Sequence, residues 1–244
     1  MIKNRKDPPA MIDIDMRDRE AEVLFTELNE QNAFKSIAVP RPIGFIGSVS
    51  KDGVHNLAAY SQFTNVNFDN PHILFAAQLR PDGTRKDSVV NAEETGCFTH
   101  NMVTYSMLDA MNKTAPSYAP DVDEFEMSGL TKVDSLYIPA KRVLESPVQM
   151  ECEWVQTVRL PGRTPKCTSD LVIGRVICIH VDENFVLPNG KLDILKIRPL
   201  ARLGYADYTT VTEVFESRVK SMLSDPIPGS YGWMSPTRGL EVKD

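Results

Sequence analysis

The sequence predicts a mainly β protein, a closed or nearly closed antiparallel barrel with a few peripheral helices. Short apolar runs bounded by glycine and proline turns recur along most of the chain, whereas only three segments have a helical pattern. No regular crossover helices separate the strands, which argues against a parallel, doubly wound sheet. Gly44 and Gly47 also do not form the G-x-G-x-x-G fingerprint of a dinucleotide-binding fold.

The first strands lie in the N-terminal third of the chain. Residues 37–50 have strand character, and the turn around Gly53 should send the chain back antiparallel. Residues 72–78 (HILFAAQ) are almost uniformly apolar, so we expect this strand to be buried on both faces. Between these strands, residues 56–64 form a polar connector of mostly small side chains. Its amides, two hydroxyls and aromatic ring suit contact with a planar, phosphorylated ligand.

Residues 135–181 again have strand character. Alternation along the first long run places Met150, Cys152 and Trp154 on one face of a strand. The next long apolar run contains Gly174, which predicts a bulge or a close approach of another segment.

Three segments have a helical pattern, residues 18–28, 88–95 and 105–115. We expect Asp87 or Thr84 to cap the second helix and Gly96 to end it. Thr104 is the expected N-cap of the third.

The chain shows no internal repeat and no break in composition, so a single domain is predicted at residues 35–208. Residues 1–34 are predicted to form an arm and a helix, and residues 209–244 a C-terminal arm. The turn at Asn189-Gly190 precedes the closing strand. Residues 116–130 are acidic and loop-like, and we predict a surface excursion there, with a cover over a site or a contact with a partner subunit as the alternatives.

Composition excludes some classes of function. The 244-residue chain has a formal net charge of −6, which argues against binding nucleic acid or an anionic membrane surface. No apolar run reaches the length of a membrane span, and the N-terminus lacks the apolar region of a signal peptide. A cytoplasmic location is therefore expected.

The four cysteines, Cys97, Cys152, Cys167 and Cys178, do not form a Cys-x-x-Cys pair. No histidine lies at zinc-finger spacing from them, and three of them lie in apolar runs where a free cysteine behaves as a small hydrophobic residue. We therefore predict buried reduced thiols and no metal site, with the state of Cys167 open.

Residues 80–86 (RPDGTRK) form a basic loop that leads into the second helix. Free amides and the helix dipole favour an anion such as phosphate at a helix N-terminus. The alternative is an ordinary surface helix with solvated charges.

Several blocks of the chain resemble the flavin reductase-like, FMN-binding split-barrel family. The resemblance is carried by PRPIG at 40–44, NLAAYSQF at 56–63, NP at 70–71, RKDS at 85–88, GRV at 174–176 and RLGY at 202–205. It covers roughly residues 35–208, and the block at 56–63 is the most specific.

The resemblance implies a homodimer of Greek-key split β-barrels with FMN near the subunit interface. It implies that the isoalloxazine and ribityl chain are lined by Asn56, Ala58, Ser61, Gln62 and Phe63. It implies that the phosphate is held by Thr84, Arg85, Lys86 and Ser88. Further candidates for contact with the cofactor are Arg41, Ala59, Tyr60 and Tyr205.

The implied activity is that of an FMN-dependent oxidoreductase passing electrons or hydride from NADH, NADPH or another donor to an acceptor. The family often has Gly-Asp-His before the Gly-x-Val strand, and this chain has Thr168-Ser169-Asp170 there. Because that histidine is linked to nicotinamide use, an electron carrier without NAD(P)H activity is one alternative. A dimeric interaction module without cofactor is another. No catalytic acid or base is assigned.

Overall fold

The computed structural model describes residues 33–216. The helix predicted at 18–28, most of the N-terminal arm and most of the C-terminal arm lie outside these residues. Internal contacts divide the chain into two units, Met1–Val211 and Thr212–Asp244, and all strands and helices of the described part lie in the first.

The described part is built mainly from strands, as predicted. They are β1 (Arg41–Pro42), β2 (Gly44–Val49), β3 (His55–Tyr60), β4 (Phe63–Asn67), β5 (His72–Gln78), β6 (Cys97–Met102), β7 (Lys132–Val133), β8 (Arg142–Val143), β9 (Val148–Leu160), β10 (Ser169–Val181), β11 (Leu200–Gly204) and β12 (Asp207–Thr210). Seven form one sheet in the order β3-β2-β6-β9-β10-β5-β4, and every neighbouring pair is antiparallel. Smaller sheets join β1-β11-β12 and β7-β8.

The long hairpin of β9 and β10 contains the irregularity predicted at Gly174. The register shifts between Ile173 and Gly174. A Cβ at Gly174 would lie 2.3 Å from Cζ of Phe98, so only glycine leaves room for this core ring. The prediction of a bulge and a close approach is confirmed.

The burial of β5 differs from the prediction and contrasts with that of β2. All six residues of β2 are buried, with Phe45 in one hydrophobic cluster and Ile46 in another. In β5, by contrast, buried residues alternate with half-buried ones. The prediction that β5 is buried on both faces is wrong because one face borders a cavity, which Ala76 lines.

The predicted connector at 56–64 is mostly strand. β3 extends to Tyr60, and β4 begins at Phe63, so only Ser61 and Gln62 form a bend. Pairing with β2 satisfies the backbone groups of β3 and continues the antiparallel strand predicted after Gly53 as far as Tyr60.

Residues 33–216 contain four short α-helices: α1 (Asp87–Thr95), α2 (Leu108–Lys113), α3 (Glu124–Ser128) and α4 (Ile194–Ile197). Gly96 ends α1 at φ 72°, as predicted. The predicted caps are wrong, because Lys86 is the N-cap and makes no side-chain capping bond. Thr104 precedes a 3₁₀ turn that leads into α2, and its hydroxyl pairs with Ser106.

The segment at 116–130 is more than a surface excursion. It contains α3, whose Phe125 is fully buried and whose Glu124 is only 5% exposed. Asp123 caps α3 by accepting a hydrogen bond from the Phe125 amide. Within 33–216 no helix combines the length and the hydropathy needed to cross a membrane.

Candidate functional site

Three cavities share lining residues along β3 and the bend that follows it, and we call them together the cleft. The central cavity, about 670 Å³, is lined by Arg41, Gln62 and Lys86. The tyrosine-lined cavity, about 300 Å³, contains Tyr205, and the glutamate-lined cavity, about 160 Å³, contains Glu124. Ala59 borders all three.

Most of the site residues predicted from the sequence border this cleft. They are Arg41, Asn56, Ala58, Ala59, Tyr60, Ser61, Gln62, Lys86, Ser88 and Tyr205. Phe63 borders none of the three cavities. Thr84 and Arg85 line a further, open groove that reaches Pro120 and shares Arg80 and Asp87 with the glutamate-lined cavity.

The sheet fixes the bend at Ser61 and Gln62. The Ala76 amide donates to the carbonyl of Gln62 at 2.8 Å, which ties the bend to β5. Arg41 Nε donates to Ser61 Oγ at 3.3 Å, so the guanidinium lies beside the bend. The bend is therefore held from two directions.

Phe63 anchors the same bend from inside the fold. Its ring stacks on His100 with the centroids 4.3 Å apart and the planes at 4°. A Cβ at Gly44 would lie 2.5 Å from the Phe63 ring, so Gly44 leaves room for it. Burial lowers the pKa of His100 to about 4, and this ring is neutral. Phe63 thus positions the cleft without lining it.

A chain of buried hydrogen bonds joins β3 to α1. Tyr60 donates its hydroxyl to Ser88 Oγ at 3.0 Å, and Ser88 donates to Asn56 Oδ1 at 2.8 Å. Burial raises the pKa of Tyr60 to about 12, so this hydroxyl keeps its proton. The chain fixes the rotamers of three predicted site residues.

Glu124 extends this network and was missed by the sequence prediction. Asn56 Nδ2 donates to Glu124 Oε1 at 2.7 Å, and the Leu57 amide donates to Oε2 at 3.3 Å. Burial raises the pKa of Glu124 to about 7, although these donors oppose the shift. The available local signal was Asp123 before an acidic and apolar run, which is an N-cap pattern.

Lys86 contributes a positive charge to the cleft at the start of α1. Its side chain is half-buried, and among residues 33–216 no carboxylate lies within ion-pair distance of it. Burial lowers the pKa of Lys86, and nearby Arg80 adds to this effect. An anion at this position would stabilise the charged ammonium group and so oppose both effects on its pKa.

Arg85 has a different environment from its neighbour. Two of its nitrogens donate to Glu93, at 2.7 and 2.6 Å, and Nε donates to Asp170 at 2.9 Å. Arg159 also donates to Asp170, at 2.8 and 3.1 Å. The donors of Arg85 in this structure are therefore committed to carboxylates rather than to the cleft.

The tyrosine-lined cavity is organised by Arg202. Its guanidinium lies 4.3 Å from the Tyr208 ring centroid and donates to the Tyr208 hydroxyl and to the carbonyl of Tyr205. Tyr205 itself adopts a positive φ of 48°, and its carbonyl is the one that accepts from Arg202. Arg202 and Arg41 make this end of the cleft positive.

The family model described as "Flavin reductase like domain" matches residues 36–199. The chain belongs to this flavin reductase-like family. Solved structures show the same fold, including a flavin reductase with a split barrel domain from Shewanella frigidimarina (TM-score 0.71, 23% identity, covering 83% of this chain and 98% of that one). The split-barrel part of the fold prediction is confirmed.

Some family members are more similar in sequence. Nitrilotriacetate monooxygenase component B from Bacillus cereus is 32% identical with a TM-score of 0.76, covering 86% of this chain and all of that one. A protein of Aquifex aeolicus is 34% identical over 168 residues, 69% of this chain and 83% of its own length. YwrF of Bacillus subtilis is 30% identical over 193 residues, 78% of this chain and 94% of its own length.

Proposed function

We propose that the protein is an FMN-dependent oxidoreductase that passes electrons or hydride from a donor to an acceptor. The observation that carries this proposal is the cleft itself, in which the cation Lys86 lies at the start of α1 beside a wall of small residues. Membership of the flavin reductase-like family supports it. So do related folds whose names state FMN binding, such as the FMN-binding protein from Thermus thermophilus.

The phosphate end of the cofactor fits the start of α1. The Asp87 and Ser88 amides open a nine-residue helix and have no intrahelical acceptors. Lys86 adds a charge-assisted donor, so a phosphate dianion would find both amides and an ammonium. We assign phosphate binding to Lys86 and Ser88, with Thr84 on the same loop. Arg85 would act indirectly, by fixing the loop against Asp170.

The ring and ribityl chain fit the central cavity. At about 670 Å³ it lies within the usual range of roughly 300–1,000 Å³ for small-molecule sites. Ala58, Ala59 and Tyr60 would provide the wall, and Ser61 and Gln62 the polar edge, while Arg41 adds positive charge.

Bound FMN would supply the redox chemistry, accepting and releasing electrons or hydride. The protein's own part is to bind, orient and shield. The anchored bend fixes the polar edge, the Tyr60–Ser88–Asn56 chain fixes the wall, and positive charge at Arg41 and Arg202 favours a reduced, anionic ligand.

A specific observation favours the second candidate, an electron carrier without NAD(P)H activity. Ser169 lines the central cavity next to the place where the family often has a histidine. His180, the nearest histidine along the strand, pairs with Glu151 and borders none of the three cavities. Whether NADH or NADPH is the electron donor therefore needs a test of its own.

We further propose a homodimer in the cytoplasm. Val155, Ile179 and Val181 are exposed apolar residues on the paired strands β9 and β10, a surface suited to a second copy. Cys97, Cys152, Cys167 and Cys178 are free thiols, as expected in a reducing compartment. Sedimentation equilibrium tests the dimer, and a single species with the mass of one chain would contradict it.

The cofactor is tested by measuring FMN affinity through quenching of flavin fluorescence. Lys86→Ala should weaken binding roughly 10- to 100-fold, because it removes a charge-assisted contact to phosphate. Lys51→Ala is the matched control, since Lys51 is 64% exposed and forms an ion pair with Glu94 on the surface. Lack of FMN binding by the unmodified protein, or equal affinity in both variants, would contradict the proposal.

The donor is tested with FMN-loaded protein under anaerobic conditions. Loss of flavin absorbance within seconds of adding NADH or NADPH supports the oxidoreductase. Retention of absorbance with both nucleotides, followed by loss on adding dithionite, supports the electron carrier.

A further inference from the structure

A cluster of potential metal ligands lies outside the cleft. Glu151, Cys178 and His180 have their ligand atoms within 4.8 Å of one another. None of the three borders a cavity of the cleft. The sequence prediction of no metal site did not detect the cluster, because the glutamate is far along the chain from the other two.

The hairpin of β9 and β10 brings the three side chains together. Cys178 pairs directly with Glu151 in the antiparallel register. His180 lies two positions farther along β10, so its side chain points to the same face as Cys178. A register shift between Val176 and Cys178 sets this alignment. The cluster is therefore held by backbone pairing on the C-terminal side of this irregularity.

Glu151 is the fully buried member of the cluster. The amides of Leu136 and Tyr137 donate to its two carboxylate oxygens at 2.7 and 2.9 Å. The carboxylate is therefore held in a fixed orientation by two backbone donors. Within the described part of the chain, His180 is the only basic side chain at ion-pair distance.

We propose that Glu151, Cys178 and His180 bind a divalent ion of the Zn²⁺ type, with water as the fourth ligand. Carboxylate oxygen, thiolate and imidazole are the ligand set of zinc, and their atoms in a tetrahedral site lie roughly 3.3–3.8 Å apart. His180 Nε2 lies 2.8 Å from Glu151 Oε1, so a small outward movement of the ring admits the ion. Binding releases the Cys178 thiol proton to solvent.

The surrounding groups fit the outer shell of such a site. Ligating carboxylates are commonly oriented by further hydrogen bonds, and Leu136 and Tyr137 supply them here from the backbone. The His180 side chain is 19% exposed, which provides a route for the ion and room for water. The bound ion would join both strands of the hairpin and, through Glu151, the segment at 136–137.

The test uses the full-length protein, stripped of metal with a chelator and dialysed against Zn²⁺ or Co²⁺. We expect one Zn²⁺ per chain by mass spectrometry, a higher melting temperature, and a thiolate-to-cobalt charge-transfer band with Co²⁺. Cys178→Ser should abolish the band and weaken Zn²⁺ binding at least 10-fold. Cys167→Ser, which changes an exposed thiol, is the matched control and should retain both.

Circular dichroism checks that each variant is folded. His180→Gln gives a second variant should Cys178→Ser fail to fold, and it should lower Zn²⁺ affinity by a similar factor. Zinc binding below roughly 0.2 ions per chain by the unmodified protein would overturn the proposal. A charge-transfer band that persists in Cys178→Ser would also overturn it.

Discussion

Two buried carboxylates, Asp170 and Glu124, have different environments. Asp170 is 1% exposed and accepts hydrogen bonds from the guanidinium groups of Arg85 and Arg159. Glu124 is 5% exposed, and its partners are the neutral amides of Asn56 and Leu57. Burial acts in the same direction on both pKa values, so the partners decide the outcome.

The two pKa values move apart. Burial opposes ionisation of Asp170, but the two arginines outweigh it, and the pKa of Asp170 is lowered. Without a cation, burial raises the pKa of Glu124 to about 7. Asp170 is therefore an ionised carboxylate whose charge is balanced by two arginines, and this ion cluster stabilises the fold. Glu124 lies in the wall of a cavity and has no cation to balance a negative charge. Groups of the second kind concentrate at functional sites.

The largest loss of stability is expected from a substitution of Asp170. Asp170→Asn should lower the free energy of unfolding by roughly 3 kcal/mol at pH 7, because two guanidinium groups lose a buried partner. Urea denaturation measures this loss. Glu153→Gln is the control on β9, since its ion pair with Arg175 is exposed and should be worth less than about 1 kcal/mol. Equal losses in both variants would contradict the comparison.

The pH dependence of stability should identify Glu124. Its pKa is raised in the folded protein, so its contribution is fully present below about pH 4.5 and is lost as pH rises through about 7. Glu124→Gln should remove this decline in the free energy of unfolding, which amounts to at most about 3 kcal/mol between pH 5 and 8. Urea denaturation across this range measures the slope. Parallel curves for the two proteins would show that Glu124 ionises normally.

A smaller effect is expected in the chain of hydrogen bonds that leads from Tyr60 through Ser88 and Asn56 to Glu124. Tyr60→Phe keeps the ring against Phe75 and removes the bond to Ser88. The expected loss is about 1 kcal/mol, because Ser88 keeps Asn56 as a partner. Thermal unfolding measures it. A loss like that of Asp170→Asn would mean that the network is as strongly coupled as the ion cluster.

The smallest effect is expected at the surface. Lys51→Ala removes an exposed ion pair with Glu94, whose closest atoms are 3.4 Å apart. The free energy of unfolding should change by less than about 0.5 kcal/mol. The same urea titrations provide this value. A larger change would show that this exposed ion pair contributes to stability as the buried charges do, which would contradict the comparison.

Local chemistry accounts for what the sequence predicted well. Glycine turns depend on single residues, and Gly53, Gly96 and Gly190 all adopt positive φ. Small and polar residues between apolar strands likewise marked the bend at Ser61 and Gln62. These signals act over a few residues, so one sequence is enough to detect them.

Contacts between distant residues account for what was missed. Glu124 reaches Asn56 across 68 positions, and Asp170 reaches Arg85 across 85. No local pattern distinguishes a paired arginine from a free lysine, so Arg85 and Lys86 were predicted to act alike. Only the folded chain shows that one is bound by carboxylates and the other is free.

The position of Ala59 has a consequence for ligand choice. Because this one methyl group borders all three cavities, a molecule extending from one into another has to pass beside it. Side-chain size at this position therefore sets how long a ligand the cleft admits, independently of how tightly either end is held. A larger residue would separate the three cavities, and glycine would connect them, so substitutions at position 59 should change which ligands the cleft accepts.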